Sequence, residues 1–388
     1  MHSLVPIPLP SLATLQHNVS AYSSPALDIP LPLSPSSSLR RGWRVQMSSA
    51  DSSRSSPQES VVLGCGGLSV DLLAEVACFP NPDDKIRTTS LKVQGGGNAG
   101  NALTCVARLG LRSRLLSKVA NDSHGKKILE ELETDGVDTS FLVVAEEGNS
   151  PFTYVIVDRQ TKTRTCIHTP GHPPMAPRDL PEKDLNAAME GVRVAYFDAR
   201  LAETAVKVAR EAKRRNIPIL VDAEKKREGL DDLLHLATYL VCSAKFPQEW
   251  TRAASVPHAL VSLLLKLPNL EFVIVTLGAE GCVMIQRTSD DSATDEVDVG
   301  SLVTSLKYEK EGKPTCISSR VAYLRGEGSG AVKGRVYVGT AEKIPEGELV
   351  DTTGAGDAFI GAVLYGICKS MQPEKMVPFA AQVVRVML

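Results

Sequence analysis

The 388-residue sequence lacks the features that mark several large classes of protein. Its 43 basic and 45 acidic residues give a net charge of −2, so no basic surface indicates nucleic acid as a partner. No apolar run approaches the roughly 20 residues that span a bilayer, so no membrane partner is predicted. The eight cysteines never form Cys-x-x-Cys, which predicts reduced, buried thiols in an intracellular compartment rather than a disulfide framework or a zinc site.

Acidic residues are almost missing from the first fifty positions, where Asp28 is the only one. The segment is rich in Ser and Pro, and Arg40, Arg41 and Arg44 make it basic. This composition is typical of an organelle transit peptide, and a merely disordered extension is the alternative. Because the prolines disfavour an amphipathic helix of the mitochondrial kind, residues 1–60 are predicted to be a plastid address, with mitochondrion or cytoplasm as alternatives.

From residue 61 onward, strand and helix patterns alternate. Apolar runs predict strands at 61–63, 192–197, 218–221, 239–242 and 272–277, and helical patterns lie between several of them at 203–215, 230–236 and 257–265. Such alternation predicts a mainly parallel sheet covered on both faces. Short strand patterns at 141–145, 152–158 and 163–168 stand apart and predict an accessory sheet, whereas the polar segment 287–330 predicts an exposed insertion or disorder.

A small-residue turn near the C-terminus precedes a strongly apolar helical pattern. Gly354, Ala355 and Gly356 carry almost no side chain, and the helix follows directly. A turn that opens a helix places free N–H donors and the positive dipole end at one point, which is an anion site. Asp357 lies in the first helical turn. From local sequence, it is equally an ordinary helix-start residue and a base held beside a phosphate.

A second glycine-rich turn, residues 95–101, also enters a helical pattern. Its glycines allow the backbone to approach a ligand closely, and the amides of Asn98 and Asn101 offer donors and acceptors suited to hydroxyl groups. This chemistry is typical of sugar recognition. An Asn that merely caps the helix is the alternative.

The first predicted strand runs into a glycine-shaped turn that ends at Asp71. The Gly64-x-Gly66 pattern is only a weak indication of dinucleotide binding, because Ser69 stands where a third glycine is needed. Asp71 is placed at the carboxyl end of the strand, where open α/β sheets hold their ligands. An ordinary turn or capping role is the alternative.

Taken together, residues 96–110 and 351–359 resemble the two signatures of the PfkB (ribokinase-like) family of carbohydrate kinases, and the resemblance extends from about residue 61 to the C-terminus. Residues 96–99 and 224–228 are most similar to the ketohexokinase branch. The resemblance implies a three-layer α/β/α sandwich with a mainly parallel central sheet and a small β-sheet lid, here at about 72–94 and 140–168. It also implies ATP and Mg²⁺ as cofactors, a monovalent cation in many members, and a homodimer through the lid.

The resemblance also implies roles for individual residues. Asp357 is the catalytic base, and Gly354, Ala355 and Gly356 form the anion hole. The residues assigned to the sugar are Asp71, Gly96, Gly97, Asn98, Asn101 and, from the lid, Arg164. The residues assigned to the nucleotide are Thr276, Gly278, Gly281 and Thr353.

Three features depart from the family pattern. The Asn-x-x-Glu motif near the middle is missing at 242–246, the insertion at 287–330 is atypical, and the chain ends within a predicted helix where the family continues towards the adenine site. The favoured function is ATP-dependent phosphorylation of a small carbohydrate, preferably a ketohexose like fructose. A nucleoside kinase ranks lower because only 5% of residues are aromatic. A catalytically weak plastid scaffold protein is the alternative from a different class.

Overall fold

A computed structural model describes residues 60–161, 163–290, 295–307, 314–326, 328, 330–344 and 352–387. Residues 1–59 of the predicted transit segment, and Asp351, therefore lie outside the described residues. The strands are β1 (Val61–Cys65), β2 (Ser69–Val76), β3 (Ser90–Gly96), β4 (Arg112–Leu116), β5 (Lys118–Ala120), β6 (Val137–Asp138), β7 (Val143–Ala145), β8 (Phe152–Asp158), β9 (Thr163–Thr169), β10 (Val192–Phe197), β11 (Ile219–Ala223), β12 (Tyr239–Ser243), β13 (Phe272–Thr276), β14 (Cys282–Arg287), β15 (Glu296–Asp298), β16 (Cys316–Ser318), β17 (Ala322–Arg325) and β18 (Ala331–Gly339). The helices are α1 (Asn98–Arg108), α2 (Ser123–Thr134), α3 (Glu182–Ala188), α4 (Ala202–Arg214), α5 (Leu230–Leu236), α6 (Phe246–Thr251), α7 (Val256–Lys266), α8 (Val299–Leu306), α9 (Ala355–Cys368) and α10 (Pro373–Met387).

A large 12-stranded sheet forms the middle layer, in the order β15-β17-β18-β14-β13-β12-β11-β10-β1-β4-β6 with β16 against β18. The seven neighbouring strands of the sheet are all parallel: β13, β12, β11, β10, β1, β4 and β6. Strand β14 runs antiparallel to both of its neighbours, β13 and β18. Along β10, Val194 and Tyr196 face one side and Ala195 and Phe197 the other, as the pleat requires. Each side packs against its own helices, so the predicted three-layer α/β/α fold is confirmed.

The two helical layers have separate apolar cores. One buried cluster joins the sheet to α3, α4, α5, α7 and α8, and the other joins its opposite face to α1, α2, α9 and α10. Among the described residues, no helix is both long and apolar enough to cross a membrane. The cysteine prediction holds only in part, because Cys65, Cys105, Cys242 and Cys282 are buried whereas Cys78 and Cys166 are exposed.

A separate four-stranded sheet, the small sheet, has the order β3-β2-β8-β9. Its strand register places Gln94, Asp71, Thr153 and His168 in one row across the four strands. The next row contains Val93, Leu72, Tyr154 and Ile167. Because successive residues of a strand point to opposite faces, the small sheet has one polar and one apolar face.

Two predictions about the small sheet are corrected by the structure. Asp71 does not end the first strand. The chain leaves the large sheet in the short turn after Cys65 and starts a new strand, β2, and Asp71 lies inside this second strand. Residues 140–145 do not belong to the small sheet, since β7 pairs with β5 in a two-stranded sheet of its own. Periodicity identified the β-type stretch at 141–145 but could not identify its pairing partner.

The expectation of an exposed or disordered insertion at 287–330 is wrong for its described residues. Strands β15 and β17 extend the edge of the large sheet, β16 pairs with β18, and Val299, Val303 and Leu324 are buried in the core. These strands have only three or four residues each and are separated by polar turns. Such short segments carry too little alternation to be recognised from the sequence. Residues 291–294, 308–313, 327 and 329 lie outside the described residues.

Candidate active site

A cavity of about 870 Å³ lies at the carboxyl ends of the parallel strands, where open α/β sheets bind ligands. The polar face of the small sheet lines one side of the cavity, and the first residues of α1 and α9 line another. Most of the predicted site residues meet here. Those in the lining are Asp71, Gly97, Asn98, Asn101, Arg164, Thr276, Thr353, Gly354, Gly356 and Asp357. Those outside it are Gly96, Ala355, Gly278 and Gly281.

The N-terminus of α9 has the geometry of an anion site. Gly354 caps the helix at φ 78°, a left-handed conformation that favours glycine. The turn is held by bonds from the Ala355 N–H to the Thr352 carbonyl, 3.3 Å, and from the Ala358 N–H to the Gly354 carbonyl, 2.8 Å. A Cβ added at Gly356 would meet nothing within 4 Å. The first turn of α9 therefore leaves room for a ligand at its positive end.

Asp357 is held at this helix end by a residue from the other predicted motif. The Nδ2 of Asn101 donates to Oδ2 of Asp357 at 2.8 Å. The helices α1 and α9 approach closely because Gly361 has no side chain: a Cβ there would lie 2.6 Å from Cβ of Cys105. Burial raises the pKa of Asp357 to about 7, against the opposing effect of the Asn101 hydrogen bond. A carboxyl group that titrates near neutrality suits a general base.

The Asn98 amide is fixed from both ends. Its Nδ2 donates to Oδ2 of Asp222 at 3.4 Å, and its Oδ1 accepts from Nη2 of Arg200 at 3.1 Å. The same Nη2 lies 3.1 Å from Oε2 of Glu224. These contacts leave the amide one orientation, which a site that recognises hydroxyl groups requires.

Asp71 reaches the cavity from the small sheet. Its Oδ1 accepts a hydrogen bond of 2.7 Å from the Ser69 hydroxyl. A Cβ at Gly96 would lie 2.2 Å from Oδ2 of Asp71, and one at Gly97 would lie 2.6 Å from the Gly67 carbonyl oxygen. Both glycines are thus explained by close packing around Asp71 and the first strand's turn, and Gly97 also lines the cavity.

Two buried carboxyl groups beside Asp357 were not predicted. Asp198 follows β10 and accepts from the backbone N–H groups of Gly67, at 2.7 Å, and Arg200, at 3.0 Å. Asp222 lies in β11. Burial raises the pKa of both, and the charges of Asp357 and Asp198 raise that of Asp222 further. Three neighbouring carboxyl groups cannot all ionise freely in the absence of a ligand.

The sequence contained a signal for these residues. Asp198 directly follows the apolar strand β10, and Asp222 stands at the end of the apolar run of β11, the same position that drew attention to Asp71. Arg200 and Glu224 come two residues later in each case. The ends of parallel strands meet at one edge, so a systematic search of those ends identifies all four residues.

Arg164 joins the small sheet to the turn before α9. Its Nη1 donates to the Thr352 hydroxyl at 2.6 Å.

The structure brings only part of the predicted nucleotide turn to the cavity. Thr276 lines the cavity, whereas a Cβ at Gly281 would lie 2.0 Å from the Gly339 carbonyl oxygen, so packing against β18 accounts for this glycine. Nucleotide contacts of Gly278 and Gly281 stay predictions.

Comparison with known proteins agrees with this geometry. The sequence profile of the PfkB family of carbohydrate kinases matches residues 63–302 and 305–387. The chain belongs to this family. Among individual proteins, mouse ketohexokinase is 22% identical over 335 residues, 84% of this chain and 95% of the relative. Arabidopsis thaliana ribokinase is 22% identical over 382 residues, 93% of this chain and 87% of the relative. A nucleoside kinase from Methanothermobacter thermautotrophicus is 29% identical over 97 residues, 25% of this chain and 31% of the relative.

Solved structures share the ribokinase-like fold. Ribokinase from Thermotoga maritima has a TM-score of 0.61 at 20% identity, with 84% of this chain and 92% of that chain covered. Arabidopsis thaliana ribokinase complexed with ribose and ATP has a TM-score of 0.59 at 17% identity, with coverage of 84% and 91%. This PfkB protein is accordingly a phosphotransferase with an alcohol group as acceptor, of the class that acts on sugars and nucleosides.

The predicted Mg²⁺ raises the question of which side chains of this PfkB site could hold a metal ion. Among the described residues, no group of three or more His, Cys, Asp or Glu side chains is arranged to hold a metal ion. Mg²⁺ is often held by substrate phosphates and water with few protein carboxylates. Mg²⁺ stays a prediction for this chain, and it would be held mainly by the nucleotide phosphates and water.

Proposed function

We propose that this PfkB kinase transfers the γ-phosphoryl group of ATP to a hydroxyl group of a small carbohydrate, with a ketohexose like fructose as the favoured acceptor. The observation that carries the proposal is the position of Asp357. It stands at the positive end of α9, bonded to Asn101, in the cavity that the Asn98 and Asp71 side chains also line. This cavity brings together a helix N-terminus suited to an anion, a carboxyl group whose pKa is raised to about 7 and polar side chains suited to hydroxyl groups, and this combination supports the proposal.

The chemistry follows from this arrangement. Asp357 accepts the proton of the acceptor hydroxyl as its oxygen attacks the γ-phosphorus. The N–H groups of the first turn of α9 stabilise the charge that develops on the phosphoryl oxygens, and in comparable sites the loss of one such donor costs roughly 3–4 kcal/mol. Bound Mg²⁺ supplies further charge neutralisation on the phosphates. Arg164, which bonds Thr352, holds the small sheet over the site as a lid that excludes water.

A sugar acceptor is favoured over a nucleoside by the composition of the cavity. Its lining contains Asp71, Asn98, Arg200, Asp222 and Glu224, which are hydrogen-bonding groups. Among the described lining residues there is no Phe, Tyr or Trp on which a base would stack. The position of Asp357 also opposes the scaffold alternative. Burial that raises the pKa of a carboxyl group disfavours its ionised form and so costs stability at neutral pH, and a protein that keeps the fold only as a scaffold gains nothing in return.

The test is a screen for ADP release with purified protein, ATP and Mg²⁺ against ketoses, aldoses, pentoses and nucleosides. We expect turnover with a small sugar, and fructose first. Turnover with nucleosides alone would replace the proposal by the nucleoside kinase. Failure to turn over any acceptor, together with no binding of an ATP analogue in isothermal titration calorimetry, would support the scaffold instead.

Activity is predicted to fall as the pH drops through about 7. A general base works only when ionised, and the pKa of Asp357 is raised to about 7 in the free protein. The acid limb of kcat/KM against pH reports the free enzyme, so it should decrease tenfold per pH unit below that value. Initial rates at constant ionic strength between pH 5 and 9 measure it. An acid limb near pH 4, the usual range of an exposed Asp, contradicts the burial of the base.

The apolar face of the small sheet supports the homodimer that the family resemblance predicts. Val93, Tyr154 and Ile167 occupy one row across its strands and are 45%, 48% and 53% exposed. We propose that a second copy of the chain covers this row. In a two-fold dimer the same apolar row of each copy is buried against the other, which removes both rows from water.

The double substitution Tyr154→Glu and Ile167→Glu is predicted to convert a dimer to a monomer, because it places charges in the centre of the contact. Size-exclusion chromatography with light scattering measures the mass. Val144→Glu is the matched control: Val144 is 43% exposed but lies in β7, outside the small sheet. A wild-type protein that is monomeric at micromolar concentration contradicts the proposal.

A further inference from the structure

The hydroxyl group of Tyr196 is an unexplained polar atom inside the protein. Tyr196 is 0% exposed, and its hydroxyl has no hydrogen-bond partner among the described residues. An unsatisfied buried hydroxyl costs about 1–3 kcal/mol, so native proteins rarely retain one without a reason. Phe fills the same volume without this cost. The presence of Tyr therefore requires a function for its O–H group.

Strand geometry places Tyr196 below the active site. Tyr196 lies in β10 and points to the face of the sheet covered by α1 and α9, and Asp198 follows the strand two residues later. On β11, Leu220 pairs with Tyr196, and Asp222 follows two residues later on that face. On the other side, the register partner is Gly64, which has no side chain. The phenol ring thus lies one step behind the two carboxyl groups in the same layer.

Charged groups from three elements act on the phenol electrostatically. The carboxylates are Asp198 at the end of β10, Asp222 of β11 and Asp357 of α9, and the positive charge of Arg200 opposes them. Burial, and next the charges of these carboxylates, raise the pKa of Tyr196 well above its usual value. The phenol therefore stays protonated at any working pH. A protonated phenol beside negative charges is suited to donate a hydrogen bond rather than to accept one.

We propose that Tyr196 is a positioning residue of the phosphoryl-transfer site, whose hydroxyl donates a hydrogen bond through one ordered water to the carboxylates of Asp222 and Asp357 and so stabilises their ionised forms. This inference rests on the proposed function, because it assigns the ionised Asp357 as the base. It gives the base a donor from within the sheet in addition to Asn101. Hydrogen bonds to ionised carboxylates are stronger than neutral ones, which suits a donor beneath crowded acidic groups.

The test substitution is Tyr196→Phe. Loss of the donor disfavours the ionised carboxylates, so the acid limb of kcat/KM is expected to move upward by about 1 pH unit, since 1.36 kcal/mol corresponds to one unit. The rate at pH 6 then falls about tenfold relative to wild type, and the rate at pH 9 is nearly retained. Tyr337→Phe is the matched control, because the Tyr337 hydroxyl bonds Gln286 outside the cavity. It should leave the pH profile unchanged.

A second measurement does not depend on turnover. Since Asp222 and Asp357 bind protons more tightly in the folded chain than in the unfolded one, ionising them destabilises the fold, and loss of the donor increases that destabilisation. The Tm difference between wild type and Tyr196→Phe should therefore be small near pH 5 and grow towards pH 9. Ser113→Ala, which removes the other buried hydroxyl without a partner among the described residues, should show no such pH dependence.

The outcomes separate the two hypotheses. If wild type phosphorylates a sugar and Tyr196→Phe raises Tm at every pH with an unchanged rate profile, the hydroxyl is merely unsatisfied and the inference is overturned. If wild type turns over no acceptor but the Tm difference still grows with pH, the proposed function fails while the link between Tyr196 and the carboxylates stands. A Tm difference independent of pH overturns that link in either case.

Discussion

Replacement of Asp357 by Asn is expected to lower kcat by about 10²–10⁴-fold, because this is the usual contribution of a general base to the rate. Asn has the same size and can still bond the Asn101 amide that now contacts Oδ2 of Asp357. The loss should therefore fall on kcat, with the KM for the sugar changed only a few-fold. Initial rates with the best acceptor of the substrate screen measure both constants.

Stability distinguishes loss of the base from damage to the fold. The folded protein holds the Asp357 proton up to about pH 7, whereas an unfolded Asp loses it near pH 4. Ionised Asp357 thus destabilises the folded state, fully so above pH 7, and the penalty vanishes below about pH 4. Asp357→Asn removes it, so the variant should melt at a higher temperature than wild type at pH 8 and at a similar one at pH 4.

This pair of results has a clear contrary outcome. Near-normal ADP release by a folded Asp357→Asn protein contradicts the assignment of the base. An equal melting temperature at pH 8 contradicts the burial of a raised-pKa carboxyl group. Asp84→Asn serves as the control, since Asp84 is an exposed residue that bonds only nearby Asn81 atoms in the described structure.

Gly356→Ala is expected to lower activity without lowering stability. A Cβ at Gly356 meets nothing within 4 Å in the free protein, and Ala is favoured over Gly inside a helix by up to about 1 kcal/mol. The variant should be as stable as wild type or slightly more so. The added methyl group, however, enters the space at the N-terminus of α9 where the transferred phosphoryl group must lie. Displacing it from its donors by even 1 Å should lower kcat/KM on the order of 10²-fold.

Another glycine of the same helix provides the matched comparison. A Cβ at Gly361 would lie 2.6 Å from Cβ of Cys105 and 2.8 Å from the Ala102 carbonyl oxygen. Gly361→Ala should therefore destabilise the protein by about 1–3 kcal/mol through overpacking between α1 and α9. Thermal melts and ATP titrations of both variants are required. If Gly356→Ala keeps full activity, the first turn of α9 is not the phosphate site.

The fold shows where sequence patterns succeed. The helix at Leu230–Leu236 and the strand at Val192–Phe197 were predicted to the residue, because apolar residues recur at helical spacing in the first and form a nearly continuous apolar run in the second. Prediction failed for the first three residues of β2, which were interpreted as a turn, and for β15, β16 and β17, which were assigned to an insertion. The three edge strands are short, and β2 begins two residues after Gly67. Their stability comes from pairing with partners that a local pattern does not identify.

The sequence by itself determined the two ends of the site: a small-residue turn that opens a helix before Asp357, and a glycine-rich turn that leads into the Asn98 and Asn101 side chains at the start of α1. Both depend on backbone geometry within a few residues, so the local pattern is sufficient. Only the tertiary structure decided that Asn101 bonds Asp357, 256 residues away, and that Asp198, Asp222 and Tyr196 crowd around the base. Burial by elements distant in the chain raises the pKa of Asp357 to about 7. The chemistry of the aspartate at the start of α9 is thus a property of the packed cavity, because desolvation has no local sequence signal.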